Sequence, residues 1–296
     1  MKKEYVLITP VRNEEKFISQ VIESVIAQTI LPKKWVIVDD GSTDSTEQII
    51  NRYQEQYGFI EQIKLSREDV ESYYSRKTHV FLAGYDSVKD KVDYDFVGNL
   101  DADISIKPEY YESIMREFDK EPTLGVAGGV YIYQEGNKIE RPPIDELCVP
   151  GSVQMFRREC YEQIGEYVSL KYGGDDTLAA IQARMNGWKT RHFRQYKVIQ
   201  HRKVGTASSG SILWARFRQG LTEYGVATHP LFMLAKSVQR AFSEKPLFTG
   251  SLARLLGFLY GYCMREKRRV PLDVIRFVRR EQIRRLLAYA RIGPIG

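Results

Sequence analysis

The sequence has few of the features that mark secreted or metal-cluster proteins. Three cysteines occur in 296 residues, Cys148, Cys160 and Cys263, and their spacing fits neither a disulfide framework nor a zinc site. The first residues, MKKEYVLITP, contain no apolar core or cleavage site of a secretory signal. We therefore expect a cytoplasmic protein, either free or peripheral on the inner face of the membrane.

The signature of a glycine-rich phosphate loop and those of nucleic-acid readers are also missing. No glycine follows the first apolar run, where TPVRNEE stands, so a G-x-G-x-x-G phosphate loop is absent. This argues against a nucleotidyltransferase built on such a loop. Zinc-finger spacing and aromatic RNA-reading motifs are absent as well, which argues against a nucleic-acid reader.

Charge is divided unevenly along a chain of ordinary globular composition, which is 43% apolar and 28% charged. From Arg202 to Gly296 there are 18 Lys and Arg against 5 Asp and Glu, a net charge of +13. The preceding 201 residues carry 26 against 33, a net charge of −7. A basic tail of this kind faces an anionic partner, and nucleic acid, a phospholipid surface and a lipid-linked phosphate all qualify.

Hydrophobic periodicity predicts alternating strands and helices followed by a helical tail from Ser211 onward. Strands are predicted at Tyr5–Thr9, Lys34–Val38, Tyr94–Leu100, Val126–Tyr133 and Tyr196–His201, and helices at Glu14–Gln28, Thr43–Tyr57, Pro108–Glu121 and Thr177–Asn186. The first elements read as right-handed βαβ units of a parallel sheet. Ligands bind outside the carboxyl ends of such strands.

Pairs of aspartates follow two predicted strands and open one predicted helix. Asp39 and Asp40 end the second strand, and Asp101 and Asp103 follow the Tyr94–Leu100 strand. Carboxylates two residues apart suit Mg²⁺ or Mn²⁺, which prefer oxygen ligands. Asp175 and Asp176 precede the Thr177–Asn186 helix, where one carboxylate is suited to act as a general base. The alternative interpretations are a turn for Asp39 and Asp40, a solvated loop for Asp101 and Asp103, and a helix cap for Asp175 and Asp176.

Together these motifs resemble the family 2 inverting glycosyltransferases of bacterial polysaccharide assembly. The resemblance covers about the first two hundred residues and rests on TPVRNE (Thr9–Glu14), VDDGSTD (Val38–Asp44), NLDAD (Asn99–Asp103), GGDD (Gly173–Asp176) and NGWK (Asn186–Lys189). It implies an α/β chain with the GT-A nucleotide-diphospho-sugar transferase fold, a Rossmann-like mixed sheet flanked by helices. We expect a catalytic domain over residues 1–205 and a helical basic extension over residues 206–296.

The resemblance also implies roles for single residues. Contacts to the nucleotide are implied for Thr9, Pro10, Arg12, Glu14, Asp39, Asp40, Arg76 and Asp101. Ligation of a divalent cation is implied for Asp103, with Asp101 and His201 beside it, and base catalysis for Asp176 paired with Asp175. The family usually has Glu where Asp175 stands, which shortens the reach of that carboxylate. A solvated helix start is the alternative for Arg76, and a structural histidine for His201.

The expected function is Mn²⁺- or Mg²⁺-dependent transfer of a sugar, with inversion, from a nucleotide-diphosphate donor. A UDP-sugar is favoured, and the acceptor is a saccharide or a lipid-linked molecule in polysaccharide or cell-envelope synthesis. The alternative is an α/β protein that binds nucleic acid or a membrane and transfers nothing.

The tail leaves open how its helices are used. Pro246–Met264 is apolar apart from Arg254, and this arginine with three glycines argues against a membrane span. The next segment is rich in arginine and has apolar residues at roughly helical spacing, at Leu272, Ile275, Val278, Ile283, Leu286 and Leu287. This predicts either an interfacial helix on an anionic membrane or a helix packed on the rest of the protein.

Overall fold

The computed structural model describes residues 3–66, 72–135, 138–140, 144–145, 147–202, 211–243 and 245–292. Contacts divide the chain into two units. The first contains residues 1–169 and 175–203, and the second contains residues 170–174 and 204–296. The predicted boundary after residue 205 lies outside the described residues.

The first unit is a mixed sheet with helices on both faces. Its described strands are β1 (Tyr5–Val11), β2 (Lys34–Asp39), β3 (Ile60–Lys64), β4 (Phe96–Asn99), β5 (Ile104–Ser105), β6 (Leu124–Glu135), β7 (Lys138–Glu140), β8 (Met155–Arg157) and β9 (Lys189–Gln200). Its described helices are α1 (Ile18–Ile26), α2 (Thr46–Gln56), α3 (Tyr73–Val88), α4 (Tyr110–Lys120), α5 (Arg158–Ile164) and α6 (Asp175–Met185). The strand order is β3-β2-β1-β4-β8-β6-β9-β5, and β7 pairs with β6.

Four parallel strands bring the motif-bearing loops to one edge of the sheet. β1 pairs in parallel with β2, where Val11 lies opposite Asp39, and with β4, where Ile8 lies opposite Asn99. The chain therefore leaves these strands on the same side. β8 runs antiparallel to both β4 and β6, so the sheet is mixed, as the family resemblance implies, and not wholly parallel.

Alternation along β1 divides the core into two layers. Tyr5 and Leu7 pack into the cluster beneath α1 and α4, whereas Val6 and Ile8 face α3 and α5. Helix α3 lies close against the sheet at Gly84, where a Cβ atom would come within 2.7 Å of the Val38 side chain. This close packing fixes the start of α3 near the ends of the parallel strands.

Several helix and strand boundaries differ from those predicted by the hydrophobic periodicity. Helix α1 begins at Ile18 and not at Glu14, because the chain first turns through Asn13, whose φ is +51°. Ser45 occupies the N-cap of α2, and the preceding Asp44 accepts the Thr46 backbone N–H at 3.0 Å. Strand β9 begins at Lys189, seven residues before the predicted start at Tyr196, because it pairs along most of β6.

The second unit contains four described helices, α7 (Ile212–Gly225), α8 (Pro230–Ser243), α9 (Thr249–Cys263) and α10 (Leu272–Ile292). α7 and α9 cross at glycines, since a Cβ atom on Gly220 would lie 1.9 Å from the Arg254 carbonyl oxygen. In the described part of the chain, no helix is both long and apolar enough to cross a membrane.

The buried side of helix α10 coincides only in part with the predicted apolar stripe. Val274, Val278 and Gln282, spaced four residues apart, are buried, whereas Leu272 and Leu287 are exposed. The Gln282 side chain accepts the His229 backbone N–H at 2.7 Å, so the buried face packs at the start of α8. Of the predicted apolar positions Val278 is buried, whereas Leu272 and Leu287 at the two ends of the stripe face solvent.

Candidate active site

The end of β2 forms a tight turn organised by Asp39. Its carboxylate accepts the Ser42 backbone N–H at 2.9 Å and the Ser42 hydroxyl at 2.6 Å. Gly41 supplies the positive φ of +68° that the turn requires. Asp39 is thus a turn-forming residue in this structure, and the turn presents the next residue, Asp40, to the edge of the sheet.

Asp40 is buried beside a cation from α3. The Arg76 Nε atom donates to Asp40 Oδ1 at 2.7 Å, and Arg76 Nη2 lies 2.6 Å from the same oxygen. The Arg76 side chain is only 12% exposed. The structure therefore brings these two predicted nucleotide contacts together and does not place Arg76 at a solvated helix start.

The next residue of α3 pairs with the first aspartate of NLDAD. Lys77 Nζ donates to both carboxylate oxygens of Asp101 at 2.8 Å, and Asn99 Nδ2 donates to one of them at 3.1 Å. Burial works against the charged lysine, yet the charge of Asp101 and its hydrogen bonds raise the pKa of Lys77. Lys77 and Asn99 therefore fix the position of the Asp101 side chain at the end of β4.

Asp103 and Glu14 share a cation that the family motifs do not contain. Arg202, which follows β9, hydrogen bonds to Glu14 Oε1 and lies 3.4 Å from Asp103 Oδ2. Burial, and then the charge of Asp101, raise the pKa of Asp103 to about 6. Burial likewise raises the pKa of Glu14, whose second carboxylate oxygen is buried without a hydrogen-bond partner.

His201 lies beside this cluster. Its backbone N–H donates to the Asp103 carbonyl oxygen at 2.9 Å, and its ring Nε2 is 2.7 Å from the Ser105 hydroxyl. The ring stacks on Phe17 with centroids 5.6 Å apart. Burial lowers the pKa of His201, so the imidazole is neutral at neutral pH, the state in which histidine binds metals.

The aspartate pair at the start of α6 is half-buried, and its two carboxylates differ in their contacts. Asp176 Oδ2 accepts the Gly151 backbone N–H at 3.0 Å, and its Oδ1 accepts the Thr177 backbone N–H at 2.7 Å. Burial raises the pKa of both carboxyls, that of Asp175 to about 6 with help from the Asp176 charge. The neighbouring Ser152 carbonyl accepts the Asp101 backbone N–H at 3.0 Å. The pair is thus connected to the end of β4 through residues 151–152.

The start of the TPVRNE motif contributes less to this cleft than the motif order implies. Thr9 is fully buried, and its hydroxyl accepts the Trp35 indole N–H at 2.9 Å inside the core. Pro10 and Arg12 are partly exposed at the strand end. The Nε atom of Arg12 is buried without a hydrogen-bond partner. Because the Thr9 side chain lies in the core, a nucleotide contact by Thr9 would involve its backbone, and this contact stays a prediction.

The donors at the strand ends fit a divalent cation of the Mg²⁺ or Mn²⁺ type. Burial and the nearby charge of Asp101 raise the pKa of both Asp103 and Glu14, and one Glu14 oxygen is buried without a hydrogen-bond partner. Within the described ranges, no three His, Cys, Asp or Glu side chains form a preformed metal cluster. Few protein ligands suit a hard cation that keeps positions for water and phosphate oxygens.

Sequence reasoning missed the role of Arg202 and did not foresee how Arg76 and Lys77 divide between two carboxylates. Only the adjacent cations in YYSRKTH and the QHRK that ends β9 could have signalled these pairings. The spatial partners become evident only when the sheet is folded.

Comparison with known proteins gives a consistent family. The model of "Glycosyl transferase family 2" matches residues 6–174. Over 117 residues the chain is 27% identical to a chondroitin synthase and to a hyaluronan synthase, both of Pasteurella multocida. Each alignment covers 39% of this chain and 11% of the relative, so the chain matches about a ninth of those proteins' length.

Solved structures share the fold at low sequence identity. The mannosyltransferase PcManGT from Pyrobaculum calidifontis, in complex with GDP-Man and Mn²⁺, gives a TM-score of 0.58 at 16% identity, over 100% of this chain and 77% of that one. Residues 1–349 of S. aureus TarS, in complex with UDP-GlcNAc, give a TM-score of 0.55 at 18% identity, over 98% of this chain and 87% of that one. The fold is therefore of the GT-A type.

Proposed function

The chain belongs to glycosyl transferase family 2, and from that premise we propose that it transfers a sugar, with inversion, from a nucleoside-diphosphate donor to a hydroxyl group. A UDP-sugar is the proposed donor. The proposed acceptor is a saccharide or a lipid-linked molecule in polysaccharide or cell-envelope synthesis. The chain would depend on Mn²⁺ or Mg²⁺.

One observation carries the proposal. Carboxylates from separate segments meet around two neighbouring cations of α3, because Arg76 binds Asp40 while Lys77 binds Asp101. The charges of Lys77 and Asp101 also act on the pKa of Asp175 at the start of α6. Turns and helix caps alone would not require these segments to converge.

Donor recognition is proposed for the side of the cleft formed by β2 and α3. Asp40 would accept a hydrogen bond from the single N–H group of a uracil base, with Arg76 holding the carboxylate in place at 2.7 Å. The cations Arg12, Lys77 and Arg202 would face the diphosphate, because each lies at or beside the carboxyl end of a strand. Pro10 and the Thr9 backbone would line the same pocket.

The divalent cation would be held by Asp103 with Asp101, with His201 beside them. When bound, such an ion neutralises negative charge on the diphosphate leaving group. PcManGT, which has this fold, was solved with Mn²⁺ and supports the choice of ion. Arg202 would keep Asp103 and Glu14 from repelling each other before the ion enters.

Asp176 is proposed as the general base. Two backbone N–H groups fix the orientation of its carboxylate. Oδ1 also accepts the Thr177 hydroxyl, so Oδ2, which among the described residues accepts only the Gly151 N–H, would take the proton of the acceptor hydroxyl. Orientation matters because a base must lie within hydrogen-bond reach of the proton that it removes. Asp175 would keep the local charge negative. Attack on the sugar face opposite the diphosphate inverts the anomeric centre.

The relatives support a saccharide acceptor, since a chondroitin synthase and a hyaluronan synthase both make sugar polymers. The chain matches only part of the length of these relatives, so the sugar and the linkage belong to the proposal.

A thermal-shift screen of nucleotides and nucleotide sugars, with Mn²⁺ or with EDTA, tests the proposed function. A ligand that binds only the folded state raises the melting temperature. We expect UDP and one UDP-sugar to raise it with Mn²⁺ and not with EDTA. A shift with oligonucleotides but with no nucleotide sugar would contradict the proposal and favour the binding-protein alternative.

A further inference from the structure

Two neighbouring helices of the second unit present uncharged, apolar surfaces to solvent. On α8 the exposed side carries Leu231, Leu234, Val238 and Phe242, which are 51–71% exposed. On α9 the exposed side carries Leu252, Leu256, Leu259 and Tyr260, which are 43–56% exposed. Surface helices of proteins in water normally place charged residues on this side.

The charged residues of these two helices lie on the side that packs against α7. Lys236 and Arg240 pair with Glu223 of α7 at 2.7 and 3.3 Å. Arg254, the charged residue of α9, is buried and donates to Gln219 of α7. The charged side chains of α8 and α9 are therefore paired inside the helical unit, whereas the apolar side of both helices faces solvent.

Ring contacts make the apolar surface continuous. Phe242 at the end of α8 meets Phe248 just before α9, with ring centroids 5.2 Å apart. Phe217 of α7 contacts Tyr260 at 5.6 Å and stacks on Trp214 at 5.4 Å. We call the surface formed by α8, α9, Phe248 and Trp214 the α8–α9 face. A continuous exposed apolar surface of this kind marks an interaction site.

The helices beneath this face are rigidly packed. A Cβ atom on Gly257 would lie 1.9 Å from the Phe217 carbonyl oxygen, so the backbones of α7 and α9 are in direct contact. Ser251 also hydrogen bonds to the Ser237 carbonyl of α8. The exposed leucines cannot turn inward, because the inward side is already filled.

Charge selects the occupant of this face. Exposed cations stand at both ends of α9, with Lys245 before it and Arg265 and Lys267 after it. The region from Arg202 onward has a net charge of +13, so two copies brought together through this face would repel each other. An uncharged apolar face bordered by Lys and Arg is the pattern of interfacial helices on anionic lipids, and Trp and Tyr favour that depth.

We propose that the α8–α9 face lies on the surface of a membrane containing anionic phospholipid, with its leucines and aromatic rings immersed among the headgroups. The α8–α9 face is distinct from the arginine-rich helix α10. The buried side of α10 packs at the start of α8. The contact does not depend on the proposed transfer reaction. It adds a place where a lipid-linked acceptor would be presented.

Co-sedimentation of the full chain with phosphatidylcholine vesicles, with and without phosphatidylglycerol, tests the proposal. We expect the wild type to pellet with the anionic vesicles. The combined substitutions Val238→Glu and Leu256→Glu should weaken binding about tenfold or more. Leu272→Glu with Leu287→Glu, at equally exposed positions of α10, is the matched control and should bind like the wild type. Circular dichroism establishes that each variant folds.

A second measurement uses the tryptophan of the face. The emission of Trp214 should shift to the blue when anionic vesicles are added, and Trp214→Phe should remove that shift. The proposal is overturned if the wild type ignores anionic vesicles or if only the α10 control loses binding. It is also overturned if light scattering shows a dimer that the α8–α9 substitutions dissociate. Donor binding without vesicles is a separate readout, so loss of one result does not imply loss of the other.

Discussion

The two aspartates at the start of α6 are neighbours in sequence but differ in their surroundings. Asp176 is held by two backbone N–H groups, whereas the carboxylate of Asp175 accepts no hydrogen bond from another residue in the described part of the chain. We expect Asp176→Asn to lower kcat by about 10²- to 10⁴-fold with little change in donor affinity, because a general base contributes on that order. Asp175→Asn should cost about tenfold or less. Steady-state kinetics checks this, and a reversed order would assign the base to Asp175.

The pH profile should reflect the burial of this pair. Burial raises the pKa of Asp175 to about 6 and also raises the pKa of Asp176, so both carboxylates gain protons at a higher pH than an ordinary aspartate. A base must be deprotonated, so the acid-side fall in kcat/KM should lie at a higher pH than the ordinary aspartate pKa. An acid limb near the ordinary aspartate value of about 4 would contradict the proposed surroundings of the base.

Asp103 should lower the stability of the protein when no cation is bound. Its pKa is about 6 in the folded chain and near 3.8 in the unfolded chain, so folding is disfavoured while the group is charged, above pH 6. We expect Asp103→Asn to stabilise the protein by about 1–3 kcal/mol at pH 7.5 in EDTA. The difference should vanish as the pH falls toward 4. Urea unfolding at both pH values measures it, and a destabilised variant at pH 7.5 would refute the argument.

At the scale of elements, the sequence predicts the parts of the site that depend on strand ends. Asp39, Asp40, Asp101 and Asp103 were placed by apolar runs that stop beside them, and the parallel pairing of β1 with β2 and β4 is confirmed. Periodicity finds such runs because a buried strand has a continuous apolar sequence.

The partners of these carboxylates could not be predicted in the same way. Arg76 and Lys77 lie on a helix of mixed polarity, and Arg202 follows a strand whose pairing with β6 bridges more than sixty residues of sequence. Which cation meets which carboxylate depends on packing such as that of Gly84 against Val38. The buried side of α10 could not be chosen from spacing alone, because only contacts such as that of Gln282 with the start of α8 define it.

Glycine packing between α7 and α9 gives a prediction for these elements. Gly257→Ala would place a methyl group 1.9 Å from the Phe217 carbonyl oxygen, so the helices must separate. We expect a loss of about 1–3 kcal/mol in the free energy of unfolding, despite the better helix propensity of alanine. Gly225→Ala, in α7 with no neighbour within 4 Å, is the control and should be neutral or slightly stabilising. Equal effects at both positions would refute the close crossing.

At the scale of the whole molecule, charge is separated between an acidic first part and a basic second part. The net charge of −7 in the first 201 residues includes the carboxylates of the cleft. A diphosphate entering such surroundings meets repulsion unless a divalent cation accompanies it. Metal dependence of donor binding is therefore the central physical claim.

Isothermal calorimetry of UDP with Mn²⁺ tests that claim most directly. We expect the wild type and Asp86→Ala, an exposed control on α3, to bind alike. Asp103→Ala should bind about 100-fold more weakly, because loss of even an outer partner of a metal site costs 10- to 100-fold. Removing Mn²⁺ with EDTA should weaken the wild type to a similar degree. Unchanged UDP affinity in Asp103→Ala, or in EDTA, would contradict the account.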